Sequence, residues 1–523
     1  IIHNARIYTV DETFSVAEAM AIRGDSIVEV GPEHQIRNKY RTAAIVDAAK
    51  QFIYPGFIDA HAHFLGFGLT LQKVDLIGTT SYADVLERVQ AFAATHPNGW
   101  ITGRGWDQND WPEKVYPNKA ALDSLFPDRP VALRRVDGHA ALVNQRALDL
   151  AGITPATTVE GGYILAEDGE LTGILIDGAY TLVSDVIPAP TTTQLSEGLM
   201  AAEKACFAVG LTTVTDAGLN HSDVQVIDSL QQAGDLRMQL YVMLSDNAAN
   251  FEHYLTTGPL QTERLNVRSF KFYADGALGS RGACLLAPYH DAAENDFHGT
   301  LLQPIAHYRE RARDLYEAGF QMNTHCIGDS ANRMILDVYG DVLKGVNDLR
   351  WRIEHAQVVH PDDLDKFGQY SVVPSVQPTH ATSDMYWAAE RLGPDRMASA
   401  YSYRELLEQN RWLPLGTDFP VESIDPLTTF YAAVARQDRE GYPPERFQPD
   451  NGLSRQQALQ GMTIWAALAN FEERAKGSLQ AGKKADFVIL DQDLMSCPES
   501  AILETKVLAT YVRGERVYER LNP

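Results

Sequence analysis

Eight strand candidates separated by helical stretches constrain this chain more than any other feature. They are Gly56–His63, Leu211–Ala217, Arg237–Leu244, Arg268–Asp275, Phe320–His325, Trp351–His355, Ser371–Gln377 and Trp412–Asp418. Strands alternating with helices are the pattern of a parallel α/β fold, and eight such units predict a (β/α)8 barrel. The first and second candidates lie about 145 residues apart, too far for one crossover. Residues 71–200 therefore read as an insertion, rich in Trp, Pro and Gly around Gly103–Pro112.

The two ends have a different character. Met20–Val30 predicts a hairpin turning near Gly24-Asp25, and Ala485–Leu490 predicts a strand. Val507–Tyr518 predicts a second hairpin, turning at Arg513-Gly514-Glu515. Two β-rich ends around an α/β middle suggest one small β-domain built from both termini. The expected division is 1–54 with 472–523 for that domain, 55–70 with 201–471 for the barrel, and 71–200 for the insertion.

Polar residues of one chemical kind recur where these strands end. The first candidate closes with His61-Ala62-His63, whose imidazoles share one strand face because side chains alternate. The fifth ends in His325, the sixth in His355 and the eighth in Asp418. The carboxyl ends of barrel strands are where such folds keep their active sites. Four histidines and an aspartate converging there form a metal-ligand set of nitrogen and oxygen donors. In Phe270-Lys271-Phe272-Tyr273-Ala274-Asp275, alternation turns Lys271 into the barrel, where a bare ammonium is costly. It has two resolutions: a salt bridge to Asp275 or another inward acid, or reaction with CO2 to give a carbamate that can bridge two metals.

The order His-x-His, Lys, His, His, Asp resembles the amidohydrolase superfamily, and more narrowly its YtcJ-like branch, which includes N-substituted formamide deformylase. The marks are Pro55–His63, Asp137-Gly138-His139-Ala140-Ala141, Lys271–Arg281, Asn323–Asp329 and Gly477–Asp486. The resemblance implies a TIM-like barrel, a composite β-sandwich from both termini, an insertion over the active site and one or two divalent metals. His61, His63 and Asp418 would hold the more buried metal, and His325 and His355 the other. Lys271, N-carboxylated, would bridge them. Zinc suits these ligands, while Mn, Fe or Co could occupy the same set. A homodimer is implied by the resemblance alone.

The chemistry expected is hydrolysis of a non-peptide C–N bond in an amide, N-acyl amine or N-formyl amine, by a metal-activated hydroxide. Asp418 would take the proton of the attacking water and pass it to the leaving nitrogen. His139 and His380 are candidate donors to the substrate carbonyl, against a plain loop role for each. The competing readings are ester hydrolysis, deamination or decarboxylation on the same site, or a binding protein without turnover. Arg281 is favoured as a loop cap, Trp106 and Trp111 as the insertion's own core, and Asp275 and Asp329 as supporting or turn residues. His96, His221, His253, His290, His298 and His360 fall outside the strand-end pattern.

Composition limits the partners. A net charge of −24 over 523 residues argues against nucleic acid, whose binding rests on Lys and Arg contacts to phosphate. A small-molecule substrate is the expected partner. No window approaches about 18 consecutive apolar residues, so no membrane span is expected. Cys206, Cys284, Cys326 and Cys497 are far apart and form no disulfide framework, so a reducing compartment, the cytoplasm, is the simplest reading. The chain begins at Ile1 rather than methionine, which leaves a removed leader open.

Overall fold

The computed structural model describes residues 1–42, 44–135, 140–159 and 162–521. Seven of the eight strand candidates form one parallel sheet. They are β1 (Phe57–Ala62), β2 (Leu211–Leu219), β3 (Gln239–Ser245), β4 (Leu265–Tyr273), β5 (Gln321–Cys326), β6 (Arg352–His355) and β7 (Val373–Ser375). Each pairs with the next in chain order, always parallel. Helices return the chain between strands; His221–Ala233, after β2, opens on a capping box of Asn220 and Asp223 and stops at left-handed Gly234. Every residue of β1 is buried, as a strand covered on both faces requires.

The eighth candidate, Trp412–Asp418, is not a regular strand; only Leu415 forms a parallel bridge, to Val376. The segment nonetheless bonds to both open edges. Towards β7, Val376 N–H donates to Pro414 O at 3.3 Å and Gly416 N–H to Val376 O at 3.0 Å. Towards β1, Ala60 N–H donates to Leu415 O at 3.1 Å, and Asp418 N–H to His61 O at 2.8 Å. The close approach depends on Gly416, where a Cβ would fall 2.6 Å from the His61 backbone nitrogen. Gly416→Ala is therefore expected to lower stability by about 1–3 kcal/mol through overpacking, read as an earlier denaturant midpoint. An unchanged midpoint would mean that the segment yields freely.

Both ends of the chain share a six-stranded sheet, ordered Glu515–Glu519, Val507–Val512, Phe487–Leu490, Phe52–Pro55, Arg6–Tyr8 and Val16–Ala17. A four-stranded sheet holds Ser26–Gly31, Ala19–Arg23, Ile2–His3 and Val46–Asp47. Ile2, Met20 and Ile27 of the smaller sheet join Ile7, Ile53, Phe487 and Ile489 of the larger in one buried apolar cluster. Both hairpins turn where expected, at Gly24 and Gly514, each with positive φ.

The chain divides into two compact units, Ile1–Gly66 with Leu199–Pro523, and Phe67–Gly198. The second unit has its own six-stranded sheet, ordered Gly162–Glu167, Glu170–Asp177, Ala140–Val143, Val131–Arg135, Ile101–Trp106 and Val74–Asp75. Trp106 and Trp111 lie in its core, only 0% and 3% exposed. Their indole N–H groups donate to Leu133 O and Thr79 O. They are core residues of the second unit, not of a pocket wall. Among the described residues, no helix is long and apolar enough to cross a membrane.

Candidate metal centre

The strand ends bring the expected donors to one place. One ligand atom from each of His61, His355 and Asp418 lies within 4.8 Å of the other two. Asp418 Oδ1 is 3.2 Å from His63 Nε2 and 3.6 Å from His61 Nε2, and Oδ2 is 3.5 Å from His380 Nε2. The His325 ring centroid is 4.5 Å from that of His355. Lys271 Nζ, fully buried, sits 3.0 Å from His61 Nε2. Among the described residues, no carboxylate comes within 4.0 Å of that ammonium, so a salt bridge to Asp275 is not formed.

Local chain geometry aims these groups. His355 (φ 73°) and Asp418 (φ 64°) both stand on left-handed backbone. Such conformations are uncommon outside glycine and persist where surrounding structure enforces them, often at functional sites. Asp59 Oδ1 accepts the backbone N–H groups of His61 and Thr417, each at 3.1 Å, and Oδ2 accepts the Thr417 hydroxyl at 2.7 Å. Asp59 thus ties β1 to the closing segment directly beneath the donors. Asp216 accepts the N–H groups of Phe64 and Leu65, just beyond His63.

Burial, followed by the neighbouring Lys271, pushes His61 down to about 4 and His325 down to about 3. Burial and His325 push His355 well below its ordinary value. Burial alone would raise Asp418, but the adjoining His63 and the other surrounding imidazoles hold it well below the usual carboxylate range. Burial brings Lys271 down to about 8. At neutral pH His61, His325 and His355 are therefore neutral and Asp418 is ionised, the protonation states a divalent cation needs.

Hydrogen bonding fits a cation as well. His63 Nδ1 is 3.0 Å from Ala217 O, and His355 Nδ1 is 2.7 Å from Gln377 Oε1. With Nδ1 of each ring engaged, Nε2 is the nitrogen left to the donor cluster. His325 Nε2, His380 Nε2 and Asp418 Oδ1 are buried without a hydrogen-bond partner. Unsatisfied buried polar atoms are rare, and a missing ion is one of the few accounts of several together.

The other singled-out residues sort cleanly. Asp275 accepts N–H bonds from Cys284, Ile327 and Gly328, and Asp329 accepts one from Leu286, so both fasten loops at the strand ends. Arg281 pairs through two nitrogens with Asp291, the loop role expected of it. Cys326 is a buried free thiol. His221 and His253 stack on each other, with ring centroids 3.9 Å apart. His139 lies outside the described residues. Gln377, Asp59 and Glu354 were not singled out from sequence; Glu354 Oε2 lies 2.5 Å from His61 Nδ1.

A parallel barrel that gathers imidazoles and a carboxylate at the carboxyl ends of its strands has the architecture of a barrel hydrolase. The chain belongs to the amidohydrolase family, whose profile matches residues 44–518. It is 33% identical to Protein LONG AFTER FAR-RED 3 of Arabidopsis thaliana, over 99% of this chain and 91% of that one. It is 26% identical to N-substituted formamide deformylase of Arthrobacter pascens, over 99% of this chain and 98% of the relative. A solved structure, described as an uncharacterized metal-dependent hydrolase from Pyrococcus furiosus, superposes with a TM-score of 0.80 at 27% identity. That match covers 95% of this chain and 99% of the other.

Proposed function

We propose that this chain is a metal-dependent hydrolase of small molecules, cleaving a non-peptide C–N bond in an amide, N-acyl amine or N-formyl amine. The observation that carries this reading is the ring of His61, His63 and His380 Nε2 atoms around the buried carboxylate of Asp418, with Lys271 adjoining. The resemblance to a formamide deformylase over nearly the whole chain supports the N-formyl end of that range.

His61, His63 and Asp418 would hold one divalent ion and His325 with His355 a second, with N-carboxylated Lys271 between them. Zinc suits this donor set. Bound there, a divalent ion lowers the pKa of water towards neutrality and polarises a carbonyl. Asp418 takes the proton of the attacking water and delivers it to the leaving nitrogen, whose departure as an amine requires it. His380, with Nε2 unpartnered, serves the substrate carbonyl oxygen; His139 is the second candidate for that task. The two terminal sheets and their shared core support a composite β-sandwich beside the barrel.

Elemental analysis of the purified protein, followed by a panel of N-formyl and N-acyl amines with matching esters and amidines, tests the reading. Stoichiometric metal and turnover of the amides are expected. A strong chelator should abolish that turnover, and added zinc, manganese or cobalt should restore it. A protein that binds no metal after reconstitution, or that turns over only esters or amidines, overturns it.

A further inference from the structure

Beneath the donor cluster lies an ion pair that the reaction does not touch. Arg352 and Glu354 stand two apart on β6 and are both fully buried. Glu354 Oε1 is 2.6 Å from Arg352 Nε, and Oε2 is 3.0 Å from Arg352 Nη2. Arg352 is itself held by Ala60 O at 2.6 Å and Ser375 Oγ at 2.8 Å, so the guanidinium joins β1 and β6 to the end of β7. A buried ion pair is a poor stabiliser, because desolvation offsets its attraction and apolar replacements often serve as well. Fold stability alone does not account for it.

Glu354 Oε2 also reaches His61 Nδ1, at 2.5 Å. Three imidazoles of the cluster differ in what engages Nδ1. His63 meets a backbone carbonyl and His355 a neutral amide, while His61 meets a carboxylate. A carboxylate behind a ligating imidazole fixes its tautomer and raises its donor strength. The Nε2 atom of His61 moreover lies 3.0 Å from Lys271 Nζ and 3.6 Å from Asp418 Oδ1.

We propose that Glu354, kept anionic by Arg352, is a positioning residue that pins the His61 proton on Nδ1 and aims its Nε2 lone pair at the cation. The half of the site containing His61 then fills first and holds its ion more tightly than the His325 and His355 half. This inference rests on the metal-site reading above.

The test is zinc affinity of the full chain, measured by competition with a chromophoric chelator, for the wild type, Glu354→Gln and the double substitution Arg352→Gln with Glu354→Gln. Glu354→Gln should weaken the first zinc about 10–100-fold, the range for losing such a supporting partner. The double variant should be equally weak, although it carries no unpaired buried charge. It also supplies the reading if an uncompensated Arg352 prevents the single variant from folding. If Glu354 serves only to neutralise Arg352, the double variant returns to wild-type affinity, and the inference is overturned. Wild-type protein that takes up no zinc overturns the metal reading, and this inference with it.

Discussion

Asp418→Asn is expected to leave a folded protein whose kcat is reduced about 10²–10⁴-fold, the scale of a lost proton-transfer group. The substitution is close to isosteric, and asparagine is among the residues that tolerate the left-handed backbone Asp418 adopts. What disappears is charge. Three imidazole Nε2 atoms lie within 3.6 Å of the carboxylate. An amide offers them one acceptor and one donor in place of two anionic oxygens. Asp59 is the competing candidate for a general base, since burial pushes it up to about 7. Geometry decides against it, because its two oxygens already accept from His61 and from both polar groups of Thr417. Asp59→Asn should therefore cost stability and register at the β1 edge before it costs chemistry. Steady-state kinetics beside a thermal melt separates the two variants. Full activity in Asp418→Asn would sink the proposed mechanism.

The parts of this molecule legible in its sequence are those governed by short-range pattern. β1 reads as a strand because Phe57–Ala62 is bounded by Pro55-Gly56 and ends in polar donors. Strand-end placement then gave His61, His325, His355 and Asp418 without any knowledge of contacts. The eighth candidate was legible as a position but not as an irregular segment. Its hydrogen bonds to β1 and β7 depend on Gly416 and on a left-handed Asp418, and neither follows from alternation. Glu354 is not legible as a site residue for a related reason. It adjoins His355, and strict alternation would send it to the opposite face, away from the site. The positive φ of His355 breaks that alternation, so both side chains serve the same cluster. A weaker signal was present: Arg352 and Glu354, opposite charges two apart in a buried strand, must face each other's side of the sheet and be paired. The partner of that pair, His61, is 293 residues away, a contact that only the closed barrel creates.

Lys271→Ala is expected to cut kcat about 10²-fold or more, the scale of losing one oriented electrostatic group in a water-excluded site. The informative measurement is which small molecule restores it. Lys271 is buried, is drawn down to about 8 by that burial, and has no carboxylate partner within 4.0 Å among the described residues. A lowered pKa leaves part of the amine neutral near physiological pH, and the neutral amine is the form that adds to CO2. Carboxylation turns a costly buried cation into an anion beside His61, reversing its effect on the neighbouring ligands. If that anion is the working form, the space vacated by the side chain should accept a short carboxylate such as propionate, with partial recovery of turnover. Propylamine, which restores an ammonium, should fail. Metal loading of the wild type in CO2-free buffer should likewise be incomplete until bicarbonate is added. Rescue by the amine and not the acid would show that Lys271 acts as a cation and would overturn its carboxylation.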